Sequence, residues 1–203
     1  MVEYLPPSEG EESAERMLLG LNPGDALDVW VEGHRVVTTV FDCREEFEGR
    51  YYTWRWIFLD DDSLIELSPD GCFRYREHHI ARRGDGFYES LVAQDGILVR
   101  FEARVRAGET AQRPVHVTVG DREFRVASTG TVAVQRRGES PPLLPWQTFS
   151  GAPDENVYFG LVDVDSEDRV GLGLWTTHVC ISLGAFLDPS DIVQVFPVNG
   201  KPH

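Results

Sequence analysis

The chain has 203 residues, 34 of them acidic and 19 basic, for a formal net charge of −15; 41% are hydrophobic and 11% aromatic. This is enough apolar mass for one compact domain or two very small ones, and it excludes a disordered composition. It argues against a general nucleic-acid binder, which needs positive charge to displace counterions, and no apolar run reaches the ~20 residues of a membrane helix.

The opening MVEYLPPSEG reads as a flexible tail, acidic and Pro-containing, without the basic and apolar regions of a secretion signal. EESAERMLLGL (Glu11 to Leu21) predicts a short helix, with Ser13 as N-cap and Met17, Leu18 and Leu21 on one side. Asn22-Pro23-Gly24-Asp25 is a turn and ends it. Everything beyond reads as strands. Ala26 to Val31 and Arg35 to Phe41 predict a hairpin across Glu32-Gly33, followed by a polar loop, DCREEFEGR. YYTWRWIFL (51–59) alternates with period two, setting Tyr52, Trp54, Trp56 and Phe58 on one face. Asp60-Asp61-Asp62 turns it into SLIELS, and Pro69-Asp70-Gly71 turns that into CFRYREHH.

In the second half, Gly96 to Val105 reads as a strand and RAGETAQRP as a loop. VHVTV, REFRVAS and TVAVQRR predict three more strands, with turns at Gly120-Asp121 and Thr129-Gly130. A Pro-rich connection containing Trp146 leads to NVYFGLVDVD, the acidic turn Ser166-Glu167-Asp168, RVGLGLWTTHVCISL and a last strand, IVQVF. Roughly twelve short strands at this spacing predict an all-β barrel or sandwich. The halves share an order of parts: a V-x-V hairpin, a long loop, an aromatic strand, an acidic turn and an apolar return strand. The expected architecture is therefore a pair of duplicated small SH3-like half-barrels, or one fused barrel or sandwich, with one short N-terminal helix. Residues 1–21 form the tail and helix, 22–110 the first β half and 111–203 the second.

Charge is uneven. Residues 1–70 hold 17 acids and 5 bases, residues 71–137 hold 8 and 12, and residues 138–203 hold 9 and 2. The Arg-bearing middle segment either pairs with acidic neighbours inside the fold or offers a face to an acidic partner around Arg82, Arg83, Arg104 and Arg106. Trp146 either anchors an interface or tucks over an open barrel end.

Catalytic signatures are sparse. The aromatic ladder could stack sugars or bases, but rings of this size more readily fill a core, and Gly171 and Gly173 leave room for them. Glu66, Glu77, Glu89 and Glu102 are candidate acids with nothing in the sequence to pair them. His178-x-Cys180 is half of a metal site at most, with His78, His79, Cys43 and Cys72 elsewhere, and structural zinc needs four converging ligands. Asp163-x-Asp165-x-Glu167 lacks the glycine and the final glutamate of a calcium loop. No GxSxG, Walker loop or GxGxxG opening a helix occurs. No catalytic residue, metal or cofactor is therefore assigned. The three cysteines, odd in number and far apart, fit a reducing, cytoplasmic setting.

The segments GDALDVWVEGHRVVTTVF and YYTWRWIFLDDDSLIELSPDGCFRYREH resemble a bacterial family of uncharacterised domains. Its parts here are Gly24-Asp25, Gly33, Tyr52-x-Trp54, Leu59, Asp60 to Asp62 and Leu64 to Leu67, with a looser second copy from Val117 to Val164. The similarity covers residues 22–195; it departs at Arg55, where a glutamate is expected, and in the long connection at 138–156. Such families often accompany membrane-stress (phage-shock-type) genes, which implies an accessory or scaffolding role and no catalytic residues. The leading expectation is a non-enzymatic, cytoplasmic protein-interaction module with protein partners, for which exposed edge strands also allow a homodimer. The rival expectations are an acidic immunity or antitoxin protein neutralising a basic partner, and a ligand-binding or hydrolytic barrel lined by Trp54, Trp56 and a buried glutamate.

Overall fold

Runs of Val, Thr and aromatic residues commit most of the chain to strands, because branched and ring side chains suit a pleated, half-buried surface. The computed structural model describes residues 9–30, 32–47, 49–68, 71–92, 96–107, 115–119, 121–138, 154–166, 168–174 and 178–198. Its elements are α1 (Glu9–Gly20), β1 (Ala26–Val29), β2 (Gly33–Phe47), β3 (Arg50–Leu59), β4 (Leu64–Ser68), β5 (Gly71–Arg82), α2 (Gly86–Val92) and α3 (Ile97–Arg106). There follow β6 (His116–Val119), β7 (Arg122–Gly138), β8 (Asp154–Asp163), β9 (Arg169–Leu174), β10 (His178–Phe186), a 3-10 turn (Pro189–Asp191) and β11 (Ile192–Phe196). The fold is mostly β: one large antiparallel sheet of order β11-β1-β2-β3-β4-β5-β10-β9-β8-β7-β6, with a further pairing of β2 and β7. Among the described residues no helix is long and apolar enough to cross a membrane.

Two compact units divide the chain. Unit 1 takes Met1–Arg74, Val134–Pro153 and Phe186–His203, and unit 2 takes Tyr75–Ala133 and Asp154–Ala185. In unit 1, Leu18 of α1 and Leu21 just beyond it are buried with Leu27, Val29, Val37, Ile57, Leu59 and Ile65 of the sheet. The other face of β3 is buried too: Trp54, Trp56 and Phe58 pack with Phe41 of β2 in edge-to-face pairs, ring centroids 5.4–6.5 Å apart. Close approach at the end of β7 demands glycine. A side chain on Gly138 (φ +94°) would lie 2.5 Å from the Thr38 carbonyl oxygen and 2.8 Å from Pro23. In unit 2, Leu91 of α2 and Leu98 and Phe101 of α3 cover Phe124, Val126, Phe159, Leu161, Val170, Leu172, Val179 and Ile181. On the opposite face Gly171 lies between Gly160 and Ser182 across the sheet, and a side chain added there would meet the Tyr75 ring at 3.7 Å.

Several expected elements differ. DCREEFEGR is no loop: β2 and β3 continue through it in register to Phe47 and Arg50. Cross-strand contacts explain why, with the Arg44 guanidinium 3.8 Å above the Tyr51 ring and Asp42 ion-paired to Arg55 at 2.9 Å. Gly96 to Val105 is not a strand, and the chain has three helices rather than one among the described residues. Phe101 to Arg106 alternates like a strand, yet Leu98 and Phe101 are buried while Val99 and Arg100 are exposed, a helical spacing that the core of unit 2 selects. Thr129-Gly130 does not turn: β7 runs straight through, and the Thr129 hydroxyl donates to the Tyr158 carbonyl. RVGLGLWTTHVCISL is two antiparallel strands, β9 and β10. Among the described residues there are eleven strands, and Ser13 lies inside α1, which begins four residues earlier.

Candidate functional site

Guanidinium clamps hold Asp61, Asp163 and Asp168 of the acidic turns in structural roles. Arg74, only 1% exposed, ion-pairs with Glu32 and with Asp61 at 2.9 Å and donates to the Ser63 hydroxyl at 3.0 Å. Asp61 also accepts from Arg35 at 2.8 Å and from the Ser63 N–H and hydroxyl. Partial burial pushes its carboxyl up, but Ser63, Arg35 and Arg74 together outweigh that and hold it below the ordinary aspartate value. In unit 2, Arg122 reaches Asp163 at 2.8 Å, Asp168 at 2.7 Å and Ser166 at 3.2 Å, while Asp163 also accepts from the N–H groups of Asp165 and Ser166. An arginine thus occupies the string that resembled a calcium loop. A third clamp sets Asp42 between Arg55 and Arg137, and the Arg55 guanidinium also donates to the Leu19 carbonyl at the end of α1. The arginine at position 55 is a helix cap.

Only part of the sequence-predicted site lies within the described residues. Arg82 ends β5 and Arg83 follows in the turn, both exposed; the Arg82 N–H donates to Asp85 at 2.7 Å. Arg104 and Arg106 fall in the last turns of α3, their side chains outside the described set, and Trp146 lies outside the described residues. Burial, and then the charge of Arg82, hold the His178 imidazole below its usual value.

Candidates for chemistry resolve into packing. Trp54 and Trp56 are each 8% exposed, and the Trp56 indole N–H donates to Glu66 at 2.8 Å, so neither ring offers a stacking platform. All three cysteines are buried thiols outside any disulfide. Burial pushes the Cys43 thiol well up and the Cys72 thiol up to about 12, which leaves little nucleophilic thiolate near neutral pH. Ser182 Oγ stands 2.9 Å from His78 Nδ1 across β10 and β5. Among the described residues no group of three or more His, Cys, Asp or Glu could hold a metal ion.

What the sequence reading missed is an apolar surface in unit 1. β11 ends the sheet order and pairs with β1, Ala26 opposite Phe196 and Asp28 opposite Gln194. Ala26 in turn faces Val36 and Asp28 faces His34 on β2. One face of these three strands packs Leu27, Val29 and Val37 into the core. The other leaves Phe196 39% and Val36 41% exposed, with the His34 ring edge-on to Phe196 at 5.4 Å. Val193 is 52% exposed, and Trp30, whose N–H donates to the Asp191 carbonyl beside the start of β11, is 67% exposed. One exposed apolar residue means nothing; here several stand around one sheet edge. IVQVF carried the signal, having neither charge nor proline to blunt an edge. Searches of known protein families, curated proteins and solved structures find no match to the chain.

Proposed function

We propose that the chain is a non-enzymatic protein-interaction or scaffolding module that docks a protein partner on the Trp30–β11 edge of unit 1. The observation that carries this reading is the exposure of Trp30 beside an unblunted edge strand, since tryptophan is the residue most enriched among binding hot spots. The accessory role implied by the family resemblance agrees with it. So does a reading of residues 22–110 and 111–203 as duplicated small SH3-like β halves, the second of which keeps an edge for binding. Three buried thiols outside any disulfide fit a reducing, cytoplasmic setting.

The test is position-dependent photo-crosslinking. A benzophenone amino acid at position 30 or 193 is expected to trap one discrete protein in host extract, and the same group at the exposed positions 99 and 164 is not. Phe196→Ser should weaken the adduct at position 30. Adducts at all four positions alike, or at none, would sink the reading.

A further inference from the structure

Resting on that docking reading, we infer that the partner presents a basic, extended segment which adds to β11 as a further antiparallel or parallel strand. The edge supplies the first half of the argument. Among the described residues β11 is hydrogen-bonded on one side, to β1, and the outer side of any edge strand presents a row of N–H and C=O groups to an incoming chain. Main-chain pairing there requires an extended occupant. The exposed side chains of Trp30, Val193 and Phe196 suit one whose alternate residues are apolar.

Charge supplies the second half and selects the sign of the partner. Residues 25–36 and 188–198, which carry β1, the start of β2 and β11, hold five acids (Asp25, Asp28, Glu32, Asp188, Asp191) against one base, Arg35. Arg35 is taken up by Asp61, Glu32 by Arg74, and Asp25 is buried, so Asp28, Asp188 and Asp191 set the sign of the surface. A second copy of this chain would bring the same negative edge and a further net charge of −15 to the encounter, whereas a Lys- or Arg-bearing strand brings the opposite sign. The occupant favoured is therefore a cationic segment of another protein and not a twin.

The full-length chain would be titrated, by anisotropy at low salt, against a labelled nine-residue peptide alternating Val with Lys or Arg. The same titration is run with a Glu analogue, and with a basic analogue N-methylated at alternate positions, which keeps charge but cannot pair as a strand. The basic peptide is expected to bind, both analogues about tenfold or more weakly, and Gln194→Pro to lose about as much. Val193→Lys, which leaves the backbone free, should also weaken the basic peptide and guards against misfolding of the proline variant. Equal binding of the N-methylated peptide would overturn strand addition, and equal binding of the Glu analogue would overturn charge selection. Exclusion of the peptide by a β11-mediated homodimer would also overturn it. If the peptides fail while crosslinking at position 30 succeeds, docking stands and strand addition falls; if both fail, docking itself falls.

Discussion

Arg74 is the largest fully buried side chain among the described residues, and a guanidinium out of water is tolerable only because Glu32, Asp61 and Ser63 surround it. Breaking a buried pair by removing one partner costs far more than the pair gains, because the remaining charge is stranded. Arg74→Met is therefore expected to lose about 3–5 kcal/mol in urea unfolding, with Arg74→Lys retaining part of it; a loss within experimental error would show that solvent reaches the site. The same cluster sets a pH dependence. Asp61 titrates lower in the folded state than in the unfolded chain, so folding releases a proton there. The resulting stability is present above the unfolded value of about 4 and is lost as the pH falls through the folded value. Asp61→Asn should flatten the acid limb of the stability curve without steepening it anywhere above neutrality. The buried cysteines make a separate prediction. With Cys43 and Cys72 pushed toward the protonated form and all three cysteines enclosed, Ellman's reagent at pH 8 should find almost no reactive thiol in the native protein and three after unfolding. Rapid reaction of the native protein would mean that the β3 region opens readily.

At the scale of elements, the end of α1 depends on a residue far away in sequence. Arg55 on β3 donates to the Leu19 carbonyl and, at 3.4 Å, to that of Leu21, while its Nε holds Asp42. Arg55→Ala should remove this cap at a cost of about 1–2 kcal/mol. Hydrogen exchange should then quicken at the C-terminal amides of α1 and leave those of β9 untouched; uniform quickening would mean that α1 and the sheet unfold as one. Such long-range caps also mark where sequence reasoning stops. The strands of 51–59 and 64–68, the turn at 22–25 and the first helix were legible because periodicity and turn chemistry are local. The extension of β2 to Phe47 was not, because DCREEF is polar on its own and becomes a strand only opposite Tyr51 to Arg55. In α3 the alternation from Phe101 to Arg106 concealed a helix that only the burial of Leu98 and Phe101 reveals. The edge proposed for docking was hidden for a related reason: IVQVF reads as any core strand until its position at the end of the sheet order is known.

For the whole molecule, two features oppose each other: an apolar edge strand, IVQVF, that carries no charge of its own and invites pairing, and acidic surroundings with a net charge of −15 that resist it. Like charge keeps proteins apart through a field that salt screens within about 10 Å at 0.1 M. The apolar contribution of Trp30, Val193 and Phe196 is not screened, and sulfate-type salts strengthen it. Self-association should therefore rise with ionic strength: monomer in sedimentation equilibrium at low salt, and reversible oligomer at high salt. Val193→Lys places a cation on the edge, the device by which natural sheets discourage pairing, and should hold the chain monomeric across the whole range. A dimer equally stable at low and high salt and indifferent to Val193→Lys would locate self-association away from β11, and the acidity of the chain would then have no part in keeping that edge free for a partner of opposite charge.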